Sequence, residues 1–423
     1  MSKTLDPATV DLRGIVRPGD HIVWGQGTGE PQTLTEALVR QRADLGPLNL
    51  FLASGFSNTL QGEHADQFRM TGFGAVGTMR RLTKAGVLGV VPCHVSQLGA
   101  YIEQGLIGCD VAFIQASPKG PDGKHSFGII HDFVQSAVAK ARTVVVEVND
   151  QVPWVYGDAP LEDSRIDYVV NTSRPLLEVP SAVPGDGDKA IANHIARFIE
   201  DGTVLQIGIG AVPDAVMAQL TDRKDIGIHS GSIGDGLMAL VEAGVVTNAR
   251  KEIDRGVSIV GALIGTKKLY NWAHQNKAIA FRPSSYTHGD VLGRLSKLVT
   301  INSAMEVDLT GQINAEQAGD DYIGGIGGQA FYARAGHFAK GGHGVMALPA
   351  TAKGGAVTKI VSKLSGPVTT LRSDADIIVT EFGVAELRGQ PIPERVRRMI
   401  AIAHPTFREQ LEQEAHDMLR RGY

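Results

Sequence analysis

Short apolar runs, several followed closely by glycine and alternating with helical patterns, are the feature of this chain that most limits its fold. Runs at 21–24, 87–91, 111–115, 143–148, 204–207, 257–263, 345–348 and 377–380 are too short for core helices. They are also too evenly apolar for strands with one wet face, so they predict strands buried on both sides. Between them, 34–45, 131–141, 189–199, 211–220 and 235–243 carry apolar residues at helical spacing. The first of these stops at Gly46-Pro47, a helix-ending pair. Strands alternating with helices predict an α/β fold of open, largely parallel sheet covered on both faces. The 51 glycines in 423 residues follow no collagen period and cluster where the backbone must turn after a strand.

A chain of this length predicts two domains. The segment 179–188, VPSAVPGDGD, gathers Pro and Gly without periodicity and predicts the linker. The expected division is 1–184 and 185–423. The two halves begin alike. PGDHIVWGQGTGEPQTLTEAL starts at Pro18 and EDGTVLQIGIGAVPDAVMAQL at Glu200, and placing Pro31 on Pro213 (213 − 31 = 182) aligns strand, glycine turn, proline and helix. Two domains of one topology follow, with a ligand cleft expected between them.

Composition narrows the partners. A formal net charge of −4 gives no basic surface to neutralise a phosphate backbone, so nucleic acid is not expected. No apolar run approaches the ~20 residues of a membrane span, so a membrane is not expected either. The first residues are acidic and lack the apolar core of a signal peptide. With only Cys93 and Cys109, a disulfide scaffold is excluded and the expected compartment is the reducing cytoplasm. Both thiols are expected to be buried and structural. No H-E-x-x-H or C-x-x-C occurs among the 13 histidines and two cysteines, so no metal site is expected.

Three glycine clusters are candidates for ligand contact. Gly25, Gly27 and Gly29 precede Pro31, and Gly208 and Gly210 precede Pro213. A turn without side chains at a helix start can cradle a phosphate or the oxyanion of an attacked thioester. Equally, such glycines serve a tight strand-to-helix turn and nothing else. Neither cluster satisfies G-x-G-x-x-G. The third, Gly324, Gly325, Gly327 and Gly328 followed by Gln329, is denser than a turn requires and predicts a ligand-facing loop.

The chain resembles the acetyl-CoA hydrolase/transferase family of the class I CoA-transferase superfamily. The motifs are GGIGGQ at 324–329, ALPATAKGG at 347–355, VTTLRSDADIIVTEFGVAELRG at 368–389 and IAIAHPTFREQL at 400–411. INSAMEVDLTGQINAE from Ile301, LVEAGVVTN from Leu240, LQIGIGAVPDAV from Leu205 and CDVAFIQASPKGPDGKHSFG from Cys109 extend it over nearly the whole chain. The resemblance implies two α/β domains of CoA-transferase type, coenzyme A as part of an acyl-CoA substrate, and a homodimer. It also implies contact of coenzyme A with Gly208, Gly210, Gly324, Gly325, Gly327, Gly328 and Gln329.

In the transferases of that family a glutamate attacks the thioester and becomes a glutamyl-CoA thioester. Its segment typically reads G-I-H-T-E-M-F-S-D-G; here it is GIHSGSIGDG from Gly227, with Gly231 at the glutamate's place. The family's Y-x-N-D corresponds to Tyr286-Thr287-His288-Gly289-Asp290, which puts His288 near the amide. An acid that usually follows the glycine loop is Phe331, and Glu30 stands where the family commonly has Thr.

These departures fall beside the chemistry. His288 is the first candidate for a base acting near neutral pH, against the reading of a loop histidine with a structural hydrogen bond. Glu30 is the candidate relocated carboxylate, against a solvated turn residue. His229 lies in a matched segment and reads as an orienting group. Asp235 reads as a helix N-cap. Gly27, Gly29, Gly231 and Phe331 are expected in the substrate pocket, with open space at Gly231. The expected function is attack of water on an acyl-CoA, at the thioester or at a carbon–carbon bond of a β-oxoacyl-CoA. The alternatives are CoA transfer through a relocated carboxylate and a non-catalytic CoA-binding paralogue.

Overall fold

A computed structural model describes residues 2–158 and 160–420. The first half builds an eight-stranded sheet. In spatial order the strands are Lys3–Leu5, Tyr168–Thr172, Thr143–Asn149, Val111–Ala116, His21–Trp24, Leu48–Leu52, Phe68–Gly72 and Leu88–Val90, and every neighbouring pair is parallel. Parallel neighbours need crossovers, which put helices on the faces and bury the strands from both sides. Ile22 and Val23, on opposite faces of one central strand, are both fully buried.

The helix Gln32–Leu45 covers part of this sheet with Leu34, Ala37, Leu38 and Leu45. It stops where expected: Gly46 takes φ +76°, a left-handed value that glycine adopts freely, and Pro47 cannot continue the turn. Removing the fully buried Leu38 side chain would cost about 2–5 kcal/mol.

The second half builds a six-stranded sheet in the order Gly227–Ile228, Val204–Ile207, Leu298–Ser303, His343–Ala347, Ile377–Thr380 and Gly383–Glu386. It is parallel except for its last pair. Residues 173–185 carry no helix or strand and contain position 184. The next helix, Asp186–Ala196, starts inside the expected linker because the Asp188 carboxylate accepts from the Gly185 amide at 2.9 Å and caps it. Among the described residues no helix is long and apolar enough to cross a membrane.

Two expected elements are interrupted, and both interruptions face the same place. The run 257–263 is not one strand. Ser258–Val260 pairs with Ile279–Phe281, Ala262–Leu263 pairs with Ser232–Ile233, and Gly261 marks the change of partner. The helix expected over 131–141 covers only Val134–Lys140, since Asp132 takes φ +32°. The His131 amide turns away to the Gly261 carbonyl at 2.9 Å.

The halves meet through backbone hydrogen bonds. Ala75 donates to Gly324 (2.7 Å), Val95 to Gly327 (2.9 Å) and Leu263 to Ile129 (2.8 Å). Such contacts hold loops from both sheets around one cleft.

Candidate active site

The cleft has a volume of about 230 Å³ and takes residues from both halves. A larger surface cavity of about 510 Å³ lies beside Phe331, Arg334 and Phe338, but it is lined by the second half alone. Buried titratable groups converge on the smaller one.

Its floor is set by two glycines and a histidine. A methyl group built on Gly231 would lie 2.3 Å from His288 Cε1 and 2.6 Å from Nε2. One built on Gly328 would lie 2.2 Å from His288 Cδ2 and 2.3 Å from Nε2. The imidazole is therefore wedged between two positions that must lack side chains. The space expected to be open at Gly231 is filled by this ring. Thr287 Oγ1 and His288 Nδ1 are 2.9 Å apart, and the ring lies 4.5 Å from that of Tyr332. Burial first, then the nearby histidines 229 and 94, push the imidazole down to about 3. At neutral pH it is uncharged and a weak proton acceptor, contrary to a base titrating near neutrality.

The first half contributes Asp132. Its side chain is buried, 3% exposed, and lines the cleft. Gln26 Nε2 donates to its Oδ2, and Gln26 Oε1 in turn accepts from Ser54 Oγ at 2.8 Å. The Asp132 carbonyl accepts from the Ser284 amide at 3.0 Å, which ties this strained backbone to the segment carrying His288. The break at Gly261 makes room. A methyl there would stand 2.8 Å from Asp132 Oδ1 and 2.9 Å from the Gly231 carbonyl oxygen. Burial, partly offset by Gln26, pushes the carboxyl up to about 7. The sequence reading missed Asp132. Its signal was an acid inside the apolar stretch 129–134, which read as the start of a helix.

The remaining lining is uncharged, with Phe73, Val76, Val95, Ala262 and Ile264 apolar and the other side chains amides and hydroxyls. Gln206 and Asn302 pair across neighbouring strands, with Asn302 Nδ2 donating to Gln206 Oε1 at 2.9 Å. Gly327, Gly328 and Gln329 open the helix Gln329–Phe338, whose first amides have no partner within the helix and point positive potential at the cleft. Thr370 Oγ1 donates to Gln329 Oε1 at 2.8 Å and fixes that side chain.

Of the expected site residues, the structure brings Gly208, Gly231, His288, Gly327, Gly328 and Gln329 to this cleft. The others stand elsewhere. Glu30 is buried and accepts from Thr35 Oγ1 at 2.7 Å, outside the cleft lining. His229 is enclosed behind it, its ring stacked on Tyr286 at 5.7 Å, and burial followed by Lys251 pushes it down to about 4. Gly27 takes φ +60°, and a methyl on Gly29 would lie 2.5 Å from Ile130 Cγ1, so both answer to the turn and its packing. Gly210 takes φ +120° at a helix start.

Gly324 and Gly325 press on backbone: a methyl on the first would stand 2.1 Å from the Ala315 carbonyl, and one on the second 3.1 Å from Gly74 Cα. Phe331 meets His94 edge-on at 6.3 Å and faces the larger surface cavity. Asp235 sits in the first turn of Asp235–Glu242, not at its cap, and holds the Thr266 hydroxyl at 3.0 Å. Burial pushes the Cys93 and Cys109 thiols up to about 11 and 12, so neither is an activated nucleophile.

Comparison with known proteins agrees with this architecture. Residues 8–179 match the acetyl-CoA hydrolase/transferase N-terminal domain and residues 265–415 the corresponding C-terminal domain. The 4-hydroxybutyrate coenzyme A transferase of Clostridium kluyveri is 38% identical over 93% of this chain and 93% of its own. The crystal structure of RipA from Yersinia pestis superposes with a TM-score of 0.93 at 32% identity, covering 98% of this chain and 97% of its own. A 4-hydroxybutyrate CoA-transferase from Porphyromonas gingivalis gives a TM-score of 0.84 at 31% identity, over 100% of this chain and 98% of its own.

Proposed function

Because this chain belongs to the acetyl-CoA hydrolase/transferase family, we propose that it cleaves an acyl-CoA by attack of water, without a glutamyl-CoA intermediate. One observation carries the reading: the His288 ring fills the space that a side chain at position 231 would need. Glycine supplies no carboxylate there, and a larger residue has no room. The bond broken is the thioester or a carbon–carbon bond of a β-oxoacyl-CoA; both need a stabilised oxyanion and an activated water.

In this reading the pantetheine arm runs past Gly208 and the Gly327–Gly328 turn. The carbonyl oxygen of the substrate faces the first amides of the helix Gln329–Phe338, where backbone donors and the helix dipole stabilise developing negative charge. The Gln206–Asn302 pair orients the acyl group with neutral hydrogen bonds. His288 shapes the pocket and stays uncharged.

Relatives named as CoA-transferases favour transfer to a second carboxylic acid as the alternative, and a buried carboxylate in the cleft, Asp132, gives it a physical basis. The test is thiol release from a panel of acyl-CoAs, β-oxoacyl-CoAs included, with and without acetate. Turnover without any acceptor is expected. Turnover that appears only with acetate makes the protein a transferase, and binding of CoA without turnover of any substrate makes it a non-catalytic paralogue.

A further inference from the structure

Water attacking a thioester must lose a proton, and the cleft offers few groups to take it. His288 is held uncharged and weakly basic, Tyr332 is pushed well above its ordinary range by burial, and Glu30 and His229 lie outside the lining. The other polar side chains that line it are amides and hydroxyls. We propose that Asp132 is the general base that takes the proton from the attacking water.

The geometry supports this in three ways. Asp132 lines the cleft from the first half, together with Gly231 and His288 of the second. The Gln26 amide fixes its Oδ2, while Oδ1 borders the gap left by the absent side chain of Gly261, which the Gly231 carbonyl and Thr287 Oγ1 also border. A non-glycine residue at φ +32° stores strain that the surrounding bonds hold in place, a pattern that concentrates at functional sites. The titratable groups that share the cleft with it are Tyr332 on the helix Gln329–Phe338 and His288 on the 284–288 segment, while its neighbour His131 turns its ring away to the Asp158 carbonyl; burial holds Tyr332 neutral and lowers both histidines. A carboxyl titrating at about 7 is matched to proton transfer at neutral pH.

The step balances without a further reactant. The water oxygen bonds to the carbonyl carbon as its proton passes to Asp132. The tetrahedral oxyanion then collapses, the C–S bond breaks, and the CoA thiolate recovers the proton. Thioester and water give carboxylic acid and thiol.

This inference rests on the hydrolytic reading, and the experiment separates the two. Wild-type protein is followed through a single turnover in ¹⁸O-water, and Asp132→Asn is assayed across pH. The expected results are label in the product acid and none in the peptide containing Asp132. In wild type kcat rises with pH through a limb near 7. In Asp132→Asn kcat falls by roughly 10²–10⁴-fold with KM within a few-fold, and that limb disappears. CoA binding by Asp132→Asn, measured by calorimetry, checks its fold; the isotope and pH results on wild type stand without the variant. Label in the Asp132 peptide makes the carboxylate a nucleophile and overturns the base assignment. So does a wild-type rate with no limb near 7, or an Asp132→Asn variant as active as wild type. A wild type that turns over only with acetate overturns the hydrolytic reading and this inference together.

Discussion

Gly231→Ala adds one methyl group, and the structure says what that methyl meets. Position 231 is not among the residues with positive φ, so alanine carries no backbone penalty there. The whole cost lies in the 2.3 and 2.6 Å approaches to the His288 ring. That ring has little room to move, because the Gly328 backbone lies close on the other side, where an added methyl would stand 2.2 Å from it, and the Tyr332 ring lies 4.5 Å away. Overpacking of this kind costs roughly 1–3 kcal/mol. If the ring is displaced from Thr287, the lost hydrogen bond adds about 1 kcal/mol, for about 2–4 kcal/mol in all. The assay is urea unfolding followed by circular dichroism on wild type, Gly231→Ala, His288→Ala and the double variant. In the His288→Ala background the methyl enters vacated space, so Gly231→Ala should cost close to nothing, leaving a coupling energy of about 2–4 kcal/mol. Equal costs in both backgrounds, or a Gly231→Ala as stable as wild type, would refute the wedge.

Three further outcomes follow from buried groups. Asp132 titrates at about 3.8 when unfolded and about 7 when folded, so the folded state binds its proton more tightly. Native stability therefore falls as pH rises from about 4 to 7, by up to about 4 kcal/mol. Asp132→Asn should unfold at a higher temperature than wild type at pH 8, with the advantage shrinking towards pH 4; parallel melting profiles would show that the carboxyl is not desolvated. Glu30→Gln should keep turnover within a few-fold, since Glu30 is held by Thr35 outside the cleft, and a loss beyond 10²-fold would return it to the chemistry. Cys93 and Cys109 should resist iodoacetamide in the native protein at pH 8 and react once it is unfolded; rapid native alkylation, read by intact mass, would contradict their burial.

Much of the fold could be read from residues alone, because buried parallel strands advertise themselves. His21–Trp24, Val204–Ile207 and Ile377–Thr380 begin and end where their apolar runs do. Leu48–Leu52 and Phe68–Gly72 escaped, since Asn49 and Arg69 interrupt their apolar pattern. The two misjudged elements share a cause. The strand at 257–263 breaks at Gly261 and the helix start slips past Asp132 because each must clear the other and the Gly231 carbonyl. No local propensity carries that three-way contact. The site was legible as a set of unusual residues but not as an arrangement. Gly231 and His288 each departed from expectation alone, and only their distance in space shows that one fills the room the other vacates. Asp132 was hidden by its surroundings, an acid beside a helix start, where capping is the ordinary role.

The His288 wedge also bears on how such a site changes over generations. A chain with a side chain at 231 has no place for the ring, and a chain with the ring has no place for the side chain. With glycine at 231, the histidine ring at 288 takes the space. Once both are present, neither can be reverted freely. A mutation back at 231 meets the ring, and loss of the ring leaves a cavity between two glycines. The two positions are therefore sterically tied: an acidic side chain fits at 231 only where the residue at 288 is smaller or its ring is moved aside.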